Sequence, residues 1–177
     1  MPSVEFKDLD IAKDLNKYLK NLGGNIEGVE FVANKRREDG SLTNKNILVF
    51  LKDGGRDFVT MTKQDTIKVQ RAFTTTVANK MRTLKTKDVK RFSSQLNKIV
   101  VEALKQSLLT MIGIIEKRLK AGKDYKGSSL RTSKDLSDQY KKQKQDKYGH
   151  IYPVGIASGQ LVDNVKPDEK NIKIIKK

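Results

Sequence analysis

The stretch that decides the fold is LNKIVVEALKQSLLTMIGIIEKRL, which runs from Leu96 to Leu119. Its apolar residues recur at intervals of three and four, the spacing that keeps side chains on one face of an α-helix. The pattern predicts a helix over residues 87–120, about 50 Å long at 1.5 Å per residue. Such a helix needs several elements packed along it, or contacts with other subunits. The apolar row consists of Leu96, Val100, Leu104, Leu108, Met111, Ile115 and Leu119.

A helix and a β-hairpin are predicted in the first third of the chain. Apolar residues at helical spacing favour a helix over residues 8–22, which the Gly23-Gly24 pair would end. Residues 29–33 and 47–51 are rich in β-branched and aromatic side chains, and a polar loop with Asp39-Gly40 separates them. This composition predicts two strands joined as a hairpin. DFVTM, residues 57–61, would add a third short strand.

A second helix is predicted over residues 63–81. Thr62 and Asp65 have the spacing of a capping box, in which each side chain binds the backbone N–H of the other residue. The apolar stripe starts at Val69 and repeats every four residues as far as Met81. The threonine run at 74–76 weakens the pattern, because β-branched side chains lose rotamer freedom in a helix.

The region after the long helix is polar and then closes with a short helix and a strand. Residues 117–147 include a short predicted helix, from Ser133 or Asp135 to Lys144, anchored by Leu136 and Tyr140. The alternative is a solvated loop that a partner orders. Further on, Ser158 would cap a turn that carries Leu161 and Val165, and Pro167 would end it. Ile172 and Ile174 would share one face of a final strand.

These elements predict an α+β protein. Its long amphipathic helix would pack on a small antiparallel sheet, beside the N-terminal helix and the β-hairpin. We expect an N-terminal unit over residues 1–62 and a second domain over residues 63–177. The second domain would contain the long helix, a basic loop at 122–149 and the closing helix and strand at 158–176.

The composition restricts the classes of partner and chemistry. The chain has 177 residues, a net charge of +16 and no cysteine, so disulfides, thiolate zinc sites and a thiol nucleophile are excluded. The charge suits nucleic acid, an anionic membrane surface or an acidic protein, and a merely solvated lysine-rich surface is the fourth reading. The longest apolar-rich stretch, SLLTMIGIIEKRL, is too short to span a bilayer.

No motif for catalysis or for a cofactor is visible. The one histidine, His150, has no local nucleophile or orienting acid, and a metal site would need more ligands. AGKDYKGSS, residues 121–129, resembles a phosphate-binding loop, but it follows a helix, whereas such loops follow a strand and open a helix. We therefore predict no enzyme activity, no catalytic or metal-binding residues and no cofactor.

Basic clusters are the candidate contacts for DNA or for an acidic partner. Tyrosines lie among the lysines of residues 117–147, and tyrosine can stack on bases. A stand-alone basic nucleic-acid-binding protein is therefore an alternative function. A nuclease is a weaker one, since histidine and acidic motifs are scarce. The candidate contact residues are Lys35, Arg36, Arg37, Lys141, Lys142, Lys144 and Lys147.

The C-terminal half resembles the virion-morphogenesis and tail-completion proteins of tailed bacteriophages. The resemblance covers residues 87–177, with a leucine, a tyrosine and basic residues at Leu136, Tyr140 and 141–144. It departs from the family at the Pro153-Val154-Gly155 turn, and the first 85 residues lie outside it. The late motif of the family is similar to a run made of Ser158, Gly159, Gln160, Leu161, Asn164 and Val165.

This resemblance implies a structural protein that forms a cyclic homo-oligomer at the head-to-tail junction. Its partners would be portal or adaptor and tail proteins, with non-specific contact to packaged DNA and none to a membrane. It would be made in the bacterial cytoplasm and reside in the virion neck or tail. The subunit contacts expected are Leu104, Leu108, Met111, Ile115, Ser158, Gly159, Leu161, Val165, Ile172 and Ile174.

Overall fold

The computed structural model describes residues 26–31, 44–84, 89–133, 135–153 and 160–176. Within these ranges there are two strands, β1 (Ile26–Phe31) and β2 (Ile172–Lys176). The α-helices, in chain order, are α1 (Asn44–Asp53), α2 (Lys63–Arg82), α3 (Val89–Ala121), α4 (Leu130–Ser133), α5 (Asp138–Tyr148) and α6 (Gln160–Asn164), and a 3-10 turn follows at Glu169–Asn171. The predicted N-terminal helix at 8–22 and the loop before α1 lie outside the described residues.

The predicted α+β class, with a long helix on a small antiparallel sheet, is confirmed. β1 and β2 pair antiparallel, with Val29 opposite Ile174 and a register shift between Ile26 and Gly28. Val29 packs against the buried pair Val100 and Leu104 of α3, and so connects the sheet to the long helix.

The described residues divide into two compact units. One contains β1 and β2, residues 67–84 with most of α2, residues 89–109 of α3 and the 3-10 turn. The other contains residues 44–66, the end of α3 from residue 110, and α4 to α6. The expected domains at residues 1–62 and 63–177 stay a prediction, and β1 and β2, which the prediction assigns to different domains, pair with each other.

The predicted β-hairpin is wrong, because residues 47–51 belong to helix α1. A strand would place Ile47, Val49 and Leu51 on one face, yet Val49 is 52% exposed while the other two are half-buried. The helix ends in a Schellman motif, in which Gly55 has a φ of 76° and Arg56 N donates to Leu51 O at 2.8 Å. The strand that pairs with β1 is instead β2.

The third predicted strand, at residues 57–61, is also absent. The Asp57 carboxylate accepts hydrogen bonds from the backbone N–H groups of Val59 and Thr60, both at 2.9 Å. Such a turn closed by an aspartate competes with the extended backbone of a strand. Phe58 and Met61 are buried within this turn region.

Helix α2 begins at the predicted capping box. Thr62 N donates to Asp65 Oδ2 at 3.0 Å, and Asp65 N donates to Thr62 Oγ1 at 3.2 Å. Val69 is buried and Phe73 packs against Val100 and Leu104. The helix is therefore fixed by its cap at one end and by an apolar face along its middle.

Helix α3 spans 33 residues and agrees closely with the range predicted from its apolar row. It ends at Gly122, which has a φ of 60° and donates to Leu119 O at 3.1 Å. Its buried apolar side chains in the first unit are Ile99, Val100, Val101, Ala103 and Leu104, and in the second unit Ile112, Ile115 and Leu119.

The polar segment after α3 contains more regular structure than a solvated loop. α5 begins with Ser137 as its cap and ends at Gly149, whose φ is 72°, so it starts and finishes later than predicted. Leu136 is a buried anchor as expected, but Tyr140 is 44% exposed. No helix in the described residues is long and apolar enough to cross a membrane.

Candidate assembly and partner-binding surfaces

The closing segment lies against the last turns of α3. A Cβ atom added at Gly113 would be 3.9 Å from Pro167 Cγ, which places the residues after α6 beside the long helix. Lys166 Nζ is 2.7 Å from Asp163 Oδ1, and this contact, aided by Lys120 of α3, lowers the pKa of Asp163. Asp163, in turn, raises the pKa of Lys166, with a smaller contribution from Glu116. The closing helix is thus docked within the chain.

Four of the predicted subunit contacts belong to the core of the chain. Leu104 is 1% exposed and Val165 is fully buried, and Ile115 and Leu161 are also buried. One apolar row can serve either intrachain packing or subunit contact, and the periodicity does not distinguish the two. Those that keep accessible surface are Leu108, Met111, Ile172 and Ile174, which are half-buried, while Ser158 and Gly159 lie outside the described residues.

Lys144, which is predicted to contact a partner, is buried within the chain. Its residue is 1% exposed, and its ammonium donates to the backbone carbonyls of Ile151 and, at 2.7 Å, Pro153. Burial lowers the pKa of Lys144. It is the buried residue of α5, so a lysine rather than an apolar side chain holds this helix to the following segment.

The other predicted cations differ in their availability. Lys141 is held between Asp135 at 2.9 Å and Asp138 at 3.2 Å, and these carboxylates raise the pKa of Lys141. Lys142 and Lys147 are exposed, and Lys147 Nζ is 5.3 Å from the centre of the Tyr148 ring. The predicted cluster at residues 35–37 lies outside the described residues.

Asp135 organises a polar cluster that the sequence did not reveal. Its carboxylate accepts from the Tyr152 hydroxyl at 3.0 Å and binds Lys141, while its carbonyl oxygen accepts from Arg56 Nη2 at 3.3 Å. Arg131 lies over the Tyr152 ring, 4.5 Å from its centre. The pKa of Asp135 is lowered, chiefly by Lys141 and then by the Leu136 N–H. No local pattern signals this group, because Asp135 and Tyr152 are 17 residues apart.

Arg118 connects several segments of the second unit. Its guanidinium donates to the carbonyls of Phe58 at 3.0 Å and Thr60 at 2.6 Å, and it forms an ion pair with Asp65. The Tyr125 N–H donates to Asp57 O at 2.8 Å beside it. These groups satisfy one another within the chain, which indicates a structural role.

The carboxylate of Asp57 adds to this network. Partial burial raises the pKa of Asp57, but hydrogen bonds from Thr60 and Val59 outweigh that effect, so its pKa lies below the usual value of 3.8. The ionised carboxylate is therefore the form that the turn stabilises.

The loop that resembles a phosphate-binding loop binds its own carboxylate. Asp124 Oδ1 accepts from Lys126 N at 2.9 Å and from Ser128 N at 2.8 Å. These N–H groups are the kind that would otherwise bind an anion.

Nδ1 of His150 is buried without a hydrogen-bond partner. Within the described ranges, no group of three or more His, Cys, Asp or Glu could hold a metal ion.

Comparisons of the chain with protein-family models, with curated proteins and with solved structures give no match. The surfaces described above therefore carry the functional argument. Half-buried apolar residues remain on α3 at Leu108 and Met111 and on β2 at Ile172 and Ile174. Exposed cations remain on α5 at Lys142 and Lys147.

Proposed function

We propose that the protein is a structural component of tailed-bacteriophage virions. It forms a ring at the head-to-tail junction, as a neck connector or tail-completion protein, and joins the portal or adaptor to the tail. The observation that carries this proposal is the order of elements in the C-terminal half. A 33-residue helix, a polar helical segment, a short helix docked through buried Leu161 and Val165, and a final strand follow one another.

The accessible apolar residues fit a ring built by heterologous contacts, in which one surface of a subunit meets a different surface of its neighbour. Leu108 in the first unit and, separately, Met111 in the second unit keep accessible apolar surface on α3. The described sheet has two strands, so each strand has an outer edge that no described strand covers. A neighbouring subunit, or a tail protein, would bind there by strand addition. The assembly would need no catalysis and no cofactor, and would bring the protein from the bacterial cytoplasm into the virion.

The test is the mass of the purified protein by light scattering at low and high salt, with negative-stain microscopy of the same sample. We expect discrete rings, or a monomer that assembles when portal or tail protein is added. A monomer that stays out of particles during infection would contradict the proposal.

A second function, that of a stand-alone nucleic-acid-binding protein, is favoured by three surface pairs of a cation and a tyrosine ring. These are Lys126 with Tyr125 at 5.5 Å, Arg131 with Tyr152 at 4.5 Å and Lys147 with Tyr148 at 5.3 Å. Rings beside cations can stack on bases while the cations meet phosphates. Tight binding to DNA that falls steeply with salt, by a chain that never assembles, would favour this function over the ring.

A further inference from the structure

Helix α2 lies in the longest stretch of the chain without an acidic residue. Between Asp65 and Asp88 there are six Lys or Arg residues and no Asp or Glu. The whole chain has 37 basic and 21 acidic residues, so a stretch of this length without any acid is a departure from its own composition. Such a segment presents positive charge that no neighbour in sequence cancels.

One face of this helix is turned to solvent. Val69 is buried and Phe73 packs against Val100 and Leu104, which fixes the inward side of α2. The residues on the opposite side are all exposed and fall at spacings of three and four, so they form one stripe, about 21 Å long at 1.5 Å per residue. This α2 outer face consists of Lys68, Arg71, Thr75, Asn79 and Arg82.

The cations of the α2 outer face are not neutralised within the described part of the chain. Lys68, Arg71 and Arg82 have no ion pair there, whereas Lys141 of α5 lies between two carboxylates. The α5 region also mixes Asp124, Asp135, Asp138 and Asp146 with its cations. The α2 outer face is therefore the better site for a partner that carries many negative charges.

We propose that the α2 outer face binds the phosphate backbone of duplex DNA. Nucleic-acid interfaces are polar and positively charged, and Thr and Asn side chains add donors for phosphate oxygens. A protein partner would require a cluster of aromatic or apolar anchors. The five residues of this face include none, and the exposed Ile67 and Met81 beside it lie at opposite ends of the helix. A membrane would require a continuous exposed apolar side, but Val69 of α2 is buried and Phe73 is packed on α3. An α-helix also fits the major groove, which is about 12 Å wide.

The proposal goes beyond the ring function and does not depend on it. Three phosphate contacts from Lys68, Arg71 and Arg82 would contribute about 2.7 to the slope of log K against log salt concentration, at 0.9 per contact. Binding would be independent of base sequence, because phosphates carry no sequence information.

The experiment compares two triple variants of the full chain with the wild type. In the first, Lys68, Arg71 and Arg82 are each replaced by Gln. In the matched control, Lys52, Lys98 and Lys173, which are also exposed and are not candidate DNA contacts, are each replaced by Gln. Both variants lower the net charge of +16 by three. Binding to a fluorescein-labelled duplex of arbitrary sequence is followed by anisotropy between about 50 and 200 mM NaCl.

We expect the wild type to bind the duplex and the α2 triple to bind about tenfold or more weakly at low salt, with a slope reduced by about 2 to 3. The control triple should keep most of the slope. The inference is overturned by a wild type that ignores DNA at about 50 mM NaCl, or by an equal or larger loss in the control triple. If polyglutamate of equal total charge displaces the DNA, the inference is overturned, and the partner of the α2 outer face is an acidic protein.

The same samples separate this inference from the ring function. The mass of the wild type and of the α2 triple is measured by light scattering, and circular dichroism checks that both are folded. Rings without DNA binding overturn the inference and leave the ring. DNA binding that is lost in the α2 triple, by a chain that stays monomeric with its phage partners, overturns the ring and leaves the inference.

Discussion

The Arg118 guanidinium of α3 is paired with the Asp65 carboxylate at the start of α2, and about nine-tenths of each side chain is buried. Asp65 is at the same time the capping-box partner of Thr62. The Asp65 carboxylate thus accepts a hydrogen bond at the start of α2 and also neutralises Arg118. The Arg118 guanidinium in turn donates to the carbonyls of Phe58 and Thr60. Loss of either partner leaves a buried charge without its counter-ion.

Replacing Arg118 by Met is therefore expected to lower the free energy of unfolding by about 3 to 5 kcal/mol. The substitution keeps much of the side-chain volume but removes the guanidinium that forms the ion pair with Asp65. Urea unfolding followed by circular dichroism measures the loss. The exposed control Lys123→Met should change the value by about 0.5 kcal/mol or less. Equal effects of the two substitutions would show that the Arg118 pair contributes nothing to stability.

Lys144 is expected to act as a structural residue. Lys144→Ala removes both hydrogen bonds to the carbonyls of Ile151 and Pro153, so the free energy of unfolding should fall by about 1 to 3 kcal/mol. Lys142→Ala and Lys147→Ala, on exposed positions of the same helix, should stay within about 0.5 kcal/mol. The midpoint of urea unfolding distinguishes them. A stable Lys144→Ala variant with weakened partner binding would restore the original prediction of a contact residue.

The lowered pKa of Asp57 makes part of the stability dependent on pH. The pKa of Asp57 in the folded state lies below 3.8, so its contribution is fully present above that value and is lost as the pH falls through the folded pKa. The difference in unfolding free energy between the wild type and Asp57→Asn should be constant from about pH 5 to 7 and shrink below about pH 4. Urea unfolding at a series of pH values measures it. A difference that grows toward low pH would contradict the expected direction, and exposed Asp146→Asn serves as the control.

Two glycines should respond to alanine in opposite directions. Gly113 lies inside α3, and a Cβ there would meet Pro167 at an ordinary 3.9 Å, so Gly113→Ala should stabilise the protein by about 0.5 to 1 kcal/mol. Gly127 has open space around it but a φ of 85°, so Gly127→Ala should destabilise by about 1 kcal/mol or more. Thermal unfolding of both variants tests the pair. Destabilisation by Gly113→Ala would show that Pro167 lies closer to α3 than described.

The elements that were predicted correctly are specified by local signals. The apolar row of α3 and the Thr62–Asp65 box need only residues three or four positions apart. The strand predicted at 47–51 is wrong, because the strand that pairs with β1 is β2. Val29 lies opposite Ile174, and the two residues are far apart in the sequence. The sequence suggests a surface position for Lys144, because its hydrogen-bond acceptors are two backbone carbonyls, and the residue types do not show them. The α2 outer face is not predicted from the sequence, because its cations are spaced along the helix and do not form a cluster. What distinguishes this stretch is the absence of Asp and Glu between Asp65 and Asp88.

Substitutions at buried and at half-buried positions of α3 should have different effects, the first on stability and the second on assembly. Leu104→Ala and Ile115→Ala remove fully buried side chains and are expected to cost about 2 to 5 kcal/mol of unfolding free energy. Leu108→Gln with Met111→Gln, on accessible positions, should cost less than the core substitutions but lower the fraction of rings. Light scattering gives the ring fraction and urea unfolding gives stability on the same samples. If the Leu108 and Met111 double variant assembles as well as the wild type, these residues are not subunit contacts, and the outer edges of the β1–β2 sheet become the surface to test next.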